Sequence, residues 1–245
     1  MALIGKTNEE KIWNYLYSEL KNSYAVAGLI GNLKGESGLN PINLQNTGNK
    51  KLGMTDEQYT AAVDNGSYKD FINDKQGYGL AQWTYWSRKQ NLLNYANSKG
   101  VSIGDLEMQL EFLVTQELQI GYRGIWNKLI SATSVRQASD IILTEFEKPA
   151  NQSESVKVTR ARYGQESYDL LSDEKYYRVQ CGAFSVKENA LALELKLKQA
   201  GFSTTIKQIN GLYKVQLGAF KNKANAESML YTVKSRGFDA FLTYC

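Results

Sequence analysis

Histidine is absent from this chain and cysteine is scarce. The 245 residues contain no His and two Cys, Cys181 and Cys245. A zinc site takes nitrogen or sulfur donors from three or four such side chains, and the usual Ser and Cys nucleophile systems rely on a His base. Sites of these kinds are therefore not expected, and the sequence predicts no metal and no other cofactor. Carboxylates are left as the natural groups for proton chemistry.

Long apolar runs are also missing. Residues 1–10 lack the apolar core of a signal peptide, and no stretch reaches membrane-spanning length. We therefore expect a protein made in the cytosol without an export signal of its own, in which thiols are most often free. The formal net charge of +4 is mild. A small positive charge would suit binding to a polyanionic cell wall, although a net charge of this size commonly serves only to keep a protein soluble. No nucleic-acid partner is expected.

The first two-thirds of the chain carries helical periodicity. Ile12, Leu16 and Leu20 recur at helical spacing, and residues 23–33 are apolar and rich in small side chains, as in a helix buried on nearly all sides. Residues 40–76 are rich in Asn, Gly, Lys and Asp, and a long irregular segment inside a compact domain is often functional. Together these patterns predict a mostly α-helical domain over residues 1–172. Further helices are predicted near 56–63, 106–117, 122–129, 135–146 and 154–171.

The C-terminal part of the chain contains an internal duplication. Residues 177–184, Tyr-Arg-Val-Gln-Cys-Gly-Ala-Phe, are matched by residues 213–220, Tyr-Lys-Val-Gln-Leu-Gly-Ala-Phe, and Gly201-Phe202 is matched by Gly237-Phe238 at the same offset. Each copy predicts a strand, an amphipathic helix and a second strand. Two copies make βαββαβ, a four-stranded antiparallel sheet with helices on one face. The predicted class is α+β, with a short linker at 173–176 and the second domain at 177–245.

Glu36 stands at the predicted end of the apolar helix. Leu29 and Leu33 form a stripe that Glu36 continues, so its carboxyl emerges beside buried surface at the negative end of the helix dipole. Both effects favour the neutral acid and predict a raised pKa, as a general acid requires. The alternative is that Glu36 only caps the helix or forms an ion pair there.

Two short motifs carry a family resemblance. Residues 35–41, Gly-Glu-Ser-Gly-Leu-Asn-Pro, resemble the Glu-Ser-x-x-Asn-Pro signature of the lysozyme-like superfamily, which includes goose-type lysozymes and lytic transglycosylases. Residues 77–84, Gly-Tyr-Gly-Leu-Ala-Gln-Trp-Thr, resemble its second signature, Gly-x-Gly-Leu-x-Gln. This version, followed by Arg88, is most similar to the phage tail lysozyme family. The resemblance covers about residues 10–171.

The resemblance implies roles for the motif residues. Glu36 would be the catalytic acid, and Gln82 would hydrogen-bond the substrate or orient the acid. Trp83 or Tyr78 would stack on a sugar ring, with core packing as the alternative for Trp83. Trp86 is expected to pack in the core.

A glycosidase usually needs a second carboxylate. We expect Asp74 in this role, with Asp70 next, because goose-type lysozymes carry an Asp near this place that positions water. Without a second carboxylate, the substrate's own hydroxyl would attack, as in a transglycosylase. Arg88, Arg160 and Glu147 are predicted to be structural.

The duplicated module resembles the SPOR domain, which binds peptidoglycan glycan strands. By position, the resemblance implies a binding face that includes residues from three strands. SPOR domains often carry Trp where this chain has Leu212 and Arg where it has Lys214. Cys181 and Cys245 fall on neighbouring predicted strands, so a disulfide is a geometric alternative to free thiols. The predicted binding residues are Gln180, Ala183, Leu212, Lys214 and Leu242.

Both resemblances indicate peptidoglycan as the polymer on which the chain acts. The predicted function is a phage endolysin that hydrolyses the β-1,4 bond between N-acetylmuramic acid and N-acetylglucosamine and is held by SPOR on glycan strands of a Gram-positive host. It would stay in the host cytoplasm until a holin releases it to the cell wall. The alternatives are a lytic transglycosylase and a non-catalytic peptidoglycan-binding protein of division or sporulation.

Overall fold

The computed structural model describes residues 3–172, 176–209, 211–220 and 222–244. The chain forms two compact units, Met1–Ser172 and Asp173–Cys245. The first unit is mostly helical and the second contains a four-stranded antiparallel sheet with helices, so the predicted α+β class is confirmed. Within the described ranges, no helix is both long and apolar enough to cross a membrane. Cys245 lies outside the described residues, and so does the alternative of a disulfide between Cys245 and Cys181.

Helices follow one another through the first unit. Two of the predicted helices change part-way from α-helical to the wider π-helical winding, which sequence periodicity did not anticipate. The α-helices are α1 Asn8–Leu20, α2 Ser23–Ser37, α3 Asn46–Leu52, α4 Asp56–Asp64, α5 Trp86–Lys99, α6 Leu106–Glu111, α7 Arg123–Ile130, α8 Val135–Ile141 and α9 Glu154–Leu171; the π-helical segments are Phe112–Gly121 and Ile142–Glu147.

Helix α2 is the central element of the first unit. Residues 25–33 of α2 are all buried, as their apolar and small character predicts. Its glycines let neighbouring backbones come close: a Cβ on Gly28 would lie 2.5 Å from Cβ of Ala138 in α8, and a Cβ on Gly31 would lie 2.3 Å from the carbonyl oxygen of Arg160 in α9. Helices α8 and α9 therefore pack tightly against α2, and this contact fixes the end of α2 in space.

The second unit contains strands β1 Tyr177–Phe184, β2 Thr205–Ile209, β3 Leu212–Phe220 and β4 Phe241–Tyr244, with helices α10 Lys187–Gln199 and α11 Lys223–Ser235. The strand order is β2-β3-β1-β4, and each neighbouring pair is antiparallel. Along β3, Tyr213, Val215 and Leu217 pack in the core. Because side chains alternate along a strand, Leu212 and Lys214 lie on the opposite face of the sheet.

Candidate active site

Glu36 is the penultimate residue of α2, as the sequence predicts. The helix ends at Gly38, which takes the left-handed conformation (φ 61°) that favours glycine. Ser37 Oγ donates a hydrogen bond of 2.9 Å to the carbonyl oxygen of Leu80 in the glycine-rich segment. One side chain of the first motif thus holds the second motif next to Glu36.

The glycine-rich segment is a tight hairpin. Tyr78 and Trp83 exchange backbone hydrogen bonds in both directions (3.2 and 2.9 Å), and Gly79 between them has a φ of 74°. A Cβ on Gly79 would lie 2.8 Å from Oε1 of Gln109, and that same oxygen accepts a 2.9 Å hydrogen bond from the backbone N–H of Leu80. Glycine is required there both for the turn and for the close approach of Gln109.

Between α2 and this hairpin lies an open cleft of about 470 Å³. Its walls are polar and carry both acidic and basic groups. The lining residues are Glu36, Gln45, Gly77, Ala81, Gln82, Thr84, Tyr85, Arg88, Glu147 and Pro149.

Arg160 holds the carboxyl of Glu36. Its Nη2 lies 2.5 Å from Glu36 Oε1, and its Nη1 donates a 2.7 Å hydrogen bond to the carbonyl oxygen of Asn32. Glycine at position 35 makes room for this contact, because a Cβ there would lie 1.4 Å from Nη1 of Arg160. Arg160, which the sequence predicted to be structural, therefore pairs with the candidate catalytic acid itself.

Glu147 joins Glu36 in the cleft. It ends the π-helical segment Ile142–Glu147, which closes with a hydrogen bond of 2.9 Å from the Lys148 N–H to the Leu143 carbonyl oxygen. Both carboxyl oxygens of Glu147 are buried, and no described residue donates a hydrogen bond to them. Burial, and then the negative charge of the nearby Glu36 carboxylate, raise the pKa of Glu147 well above its ordinary value. The sequence assigned Glu147 a structural role, and a charged residue ending an apolar run was the only signal of this position.

Arg88 forms the opposite end of this charged group. Its Nε and Nη2 lie 2.6 and 2.8 Å from the two carboxylate oxygens of Glu117, and its guanidinium lies 4.9 Å from the centre of the Phe146 ring. Glu117 also accepts a 2.8 Å hydrogen bond from the indole N–H of Trp83. Arg88 is thus oriented by a bidentate ion pair at the wall of the cleft.

Tyr78 and Trp83 lie in the core and not on the cleft wall. Both side chains have no exposed surface; the Tyr78 hydroxyl is 2.7 Å from Thr60 Oγ1, and Trp83 packs on Phe112. Their predicted stacking on sugar rings does not fit this placement, and the core alternative for Trp83 does.

Gln82 does line the cleft, where its amide N–H groups bind the backbone and side-chain oxygens of Asn43. The exposed rings are those of Tyr85, on the cleft wall, and Trp86. They are 64% and 55% exposed and stand 6.0 Å apart. Sequence reasoning missed Tyr85 and expected core packing for Trp86.

Asp74 is buried away from the cleft lining. Its Oδ1 lies 2.5 Å from Nζ of Lys89, and its Oδ2 accepts hydrogen bonds from the hydroxyls of Tyr59 and Tyr68. The side chains of Asp74 and Lys89 are 2% and 0% exposed. Because both of its oxygens are engaged in this closed network, the geometry does not fit the role of second catalytic carboxylate expected for Asp74.

Comparison with known proteins agrees with this geometry. The family model described as phage tail lysozyme matches residues 7–171. The chain belongs to the phage tail lysozyme family. After the lysozyme-like domain, the SPOR domain model matches residues 173–244.

Two individual proteins are similar to parts of this chain. One is Morphogenesis protein 1 of Bacillus phage B103, which is 28% identical over 162 residues, covering 64% of this chain and 38% of the relative. The chain thus spans well under half the length of that relative. The other is a solution structure titled as the peptidoglycan binding domain of the B. subtilis cell wall lytic enzyme CwlC, with 42% identity, a TM-score of 0.28, and coverage of 30% of this chain and 94% of that one.

The SPOR domain presents part of its predicted binding face. Lys214 lies on the sheet face opposite the helices, where Leu212 is also exposed, and Ala183 is exposed. Gln180 is nearly buried, with its Oε1 3.4 Å from Nε2 of Gln216. Leu242 does not lie on this predicted face, because its side chain packs against the core on the helix side.

The alternation of side chains along β4 explains the position of Leu242. With Leu242 turned toward the helices, its neighbour Phe241 turns to the open face, where it is 52% exposed. The last strand therefore presents the Phe241 ring on the open face, where the sequence predicted the Leu242 side chain.

Proposed function

We propose that this chain is a peptidoglycan glycosidase that cleaves the β-1,4 bond between N-acetylmuramic acid and N-acetylglucosamine, with Glu36 as the general acid. The observation that carries this proposal is the placement of Glu36. Its carboxyl is 21% exposed at an open cleft, so a bound sugar can reach it. Paired with the guanidinium of Arg160 and beside the carboxyl of Glu147, it stands where a proton can be held and passed on.

The surroundings of Glu36 suit a polysaccharide. The exposed Tyr85 ring at the cleft and the neighbouring Trp86 offer flat apolar faces for sugar rings. Gln45 and Gln82 add amide groups to the cleft wall that can bind hydroxyl and acetamido groups.

The SPOR domain supplies the second half of the proposal. Binding to glycan strands of a Gram-positive wall would keep the lysozyme-like domain on its polymer and raise the local concentration of cleavable bonds. The open sheet face with Leu212, Lys214 and Phe241 is the surface we assign to this contact.

A specific observation favours lytic transglycosylation as a second candidate. Glu147 lines the same cleft as Glu36 with both of its carboxyl oxygens buried, whereas glycosidases of the retaining and inverting classes present two carboxyls that flank the scissile bond. Asp74 is also engaged elsewhere. One carboxyl could then serve first as acid and then as base, while a hydroxyl of the muramic acid attacks.

Product analysis tests the proposal. The full chain is incubated with purified Gram-positive sacculi, and the released fragments are measured by mass spectrometry. Hydrolysis predicts reducing muramic acid ends that have gained one water, and transglycosylation predicts anhydro ends that have not. Uncut sacculi that still retain the bound chain would contradict both and leave a non-catalytic binding protein.

We further propose that the chain acts as an endolysin, held in the host cytoplasm until a holin opens the membrane. The similar phage protein is named Morphogenesis protein 1, which makes a place in the virion the competing proposal. Immunoblots of infected cells and purified virions separate them. An endolysin accumulates in the cytosolic fraction and is absent from virions, and a stoichiometric virion band would contradict that role.

A further inference from the structure

The carboxyl of Glu147 is the least satisfied charged group in the first unit's cleft. Its two oxygens are buried, and no described residue donates a hydrogen bond to either of them. Burying a carboxylate without donors costs several kcal/mol, so such a group takes up a proton instead. A protonated carboxyl needs an acceptor, and the carboxyl of Glu36 lies within reach of it.

The charges around Glu147 lead to the same conclusion. Glu36 faces it from α2, Arg160 from α9 and Arg88 from α5. Each guanidinium is already paired directly with another acid, Arg160 with Glu36 and Arg88 with Glu117. Three carboxylates against two guanidiniums would leave one negative charge in a partly dry site. One bound proton removes that excess negative charge. Because Glu117 is fully engaged by Arg88 and Trp83, the proton is held between the carboxyls of Glu36 and Glu147.

We propose that Glu147 is a positioning residue that stores the proton which Glu36 delivers to the glycosidic oxygen. In the resting enzyme, the protonated Glu147 donates a hydrogen bond to the carboxylate of Glu36, which Arg160 holds in place. This inference rests on the proposed function of Glu36 and adds where the proton comes from.

The proton count balances over one turnover. The proton passes from Glu147 to Glu36 and then to the glycosidic oxygen, and the bond between that oxygen and C1 breaks with its electron pair left on the oxygen. The hydroxyl that attacks C1, from water or from the substrate itself, gives its proton back to the pair. One proton leaves the site and one returns, so no other reactant is required.

The test compares pH profiles of wall clearance for the full chain and its Glu147→Gln variant. Glutamine keeps the shape and can donate to Glu36, but it cannot release a proton. We expect the variant to clear walls about 10- to 100-fold more slowly at pH 7. On the alkaline side of the pH profile, its activity should fall at a lower pH than that of wild type. Its binding to sacculi should be unchanged. Glu145→Gln is the matched control, because Glu145 lies two residues away in a solvent-exposed pair with Lys128, and it should keep the wild-type profile.

A thermal measurement on the same variants separates proton storage from packing. The raised pKa of Glu147 means that, above the ordinary value of 4.5, the folded chain keeps a proton that the unfolded chain has released. Stability is therefore lost as pH rises through that window. Glu147→Gln should remove this loss, so its Tm relative to wild type should rise between pH 5 and pH 8.

A second readout needs no variant. Infrared spectra of the wild-type chain should retain the C=O band of a protonated carboxyl at neutral pH. The inference would be overturned by absence of that band. It would also be overturned by a Glu147→Gln pH profile that overlays the wild-type profile after scaling, or by a Tm loss in this variant that is equal at every pH. If Glu36→Gln were fully active, the proposed function itself would fail, whatever Glu147 does.

Discussion

Glu36→Gln is expected to clear purified Gram-positive cell walls about 10²- to 10⁴-fold more slowly than wild type. The amide has nearly the shape of the acid and can still accept a hydrogen bond from Arg160, so the cleft should stay intact. It cannot protonate a leaving oxygen, and that step is lost. The rate of turbidity loss at equal enzyme concentration measures the effect.

The control for this substitution is Glu166→Gln. Glu166 also pairs with an arginine, Arg162, at 2.5 Å, but both side chains are more than half exposed on α9. Its replacement should leave clearance near the wild-type rate. Sacculus co-sedimentation should be equal for all three proteins, and a Glu36→Gln variant that clears walls at the wild-type rate would refute the assignment of Glu36.

Asp74→Asn and Lys89→Met are each expected to destabilise the helical unit by about 3–5 kcal/mol. Either change leaves one buried charge without its partner. In Asp74→Asn, the Lys89 ammonium would retain the Gln76 carbonyl oxygen at 2.9 Å and the face of the Phe71 ring at 4.3 Å. Burial already lowers the pKa of Lys89 against the opposing effect of Asp74. The fall in Tm should be roughly 10 °C.

Two further variants and an activity measurement complete this experiment. The double variant with Asp74→Asn and Lys89→Met should lose less than the sum of the single losses, since the two groups interact directly. Lys128→Met, which breaks an exposed pair with Glu145, should cost at most about 1 kcal/mol. Well below its Tm, Asp74→Asn should keep most of its activity. A folded Asp74→Asn protein without activity would restore Asp74 as the second catalytic carboxylate.

Local signals predicted much of the fold. The apolar small-residue pattern of α2 and the motif after it placed Glu36 at a helix end, where it is found. The bounds predicted for α9, 154–171, match the structure. The duplication predicted the sheet of the second unit because each repeat carries its own alternation and turn glycines.

Long-range partnerships were harder to predict. Helix α5 was missed because a core position is occupied by Lys89, whose burial makes sense only once Asp74, from a distant loop, is beside it. Glu147 was misjudged for a similar reason, since three helices must converge before its carboxyl meets that of Glu36. In the hairpin, the motif identified Tyr78 and Trp83 as candidate sugar-stacking residues. Tertiary packing buries both rings in the core, and Tyr85 is the aromatic residue exposed at the cleft.

The π-helical end at Glu147 makes the cleft sensitive to insertions and deletions. A π turn holds one residue more than an α turn, and each residue of an α-helix turns the chain by about 100°. If the six residues of Ile142–Glu147 wound as an α-helix, the larger rotation per residue would turn Glu147 by roughly 100° more about the helix axis and carry its carboxyl out of the cleft. A relative with α-helical winding here would therefore keep the carboxyl in the cleft only with one residue fewer ahead of it. In any alignment of relatives, the spacing ahead of this glutamate is therefore as informative as its identity.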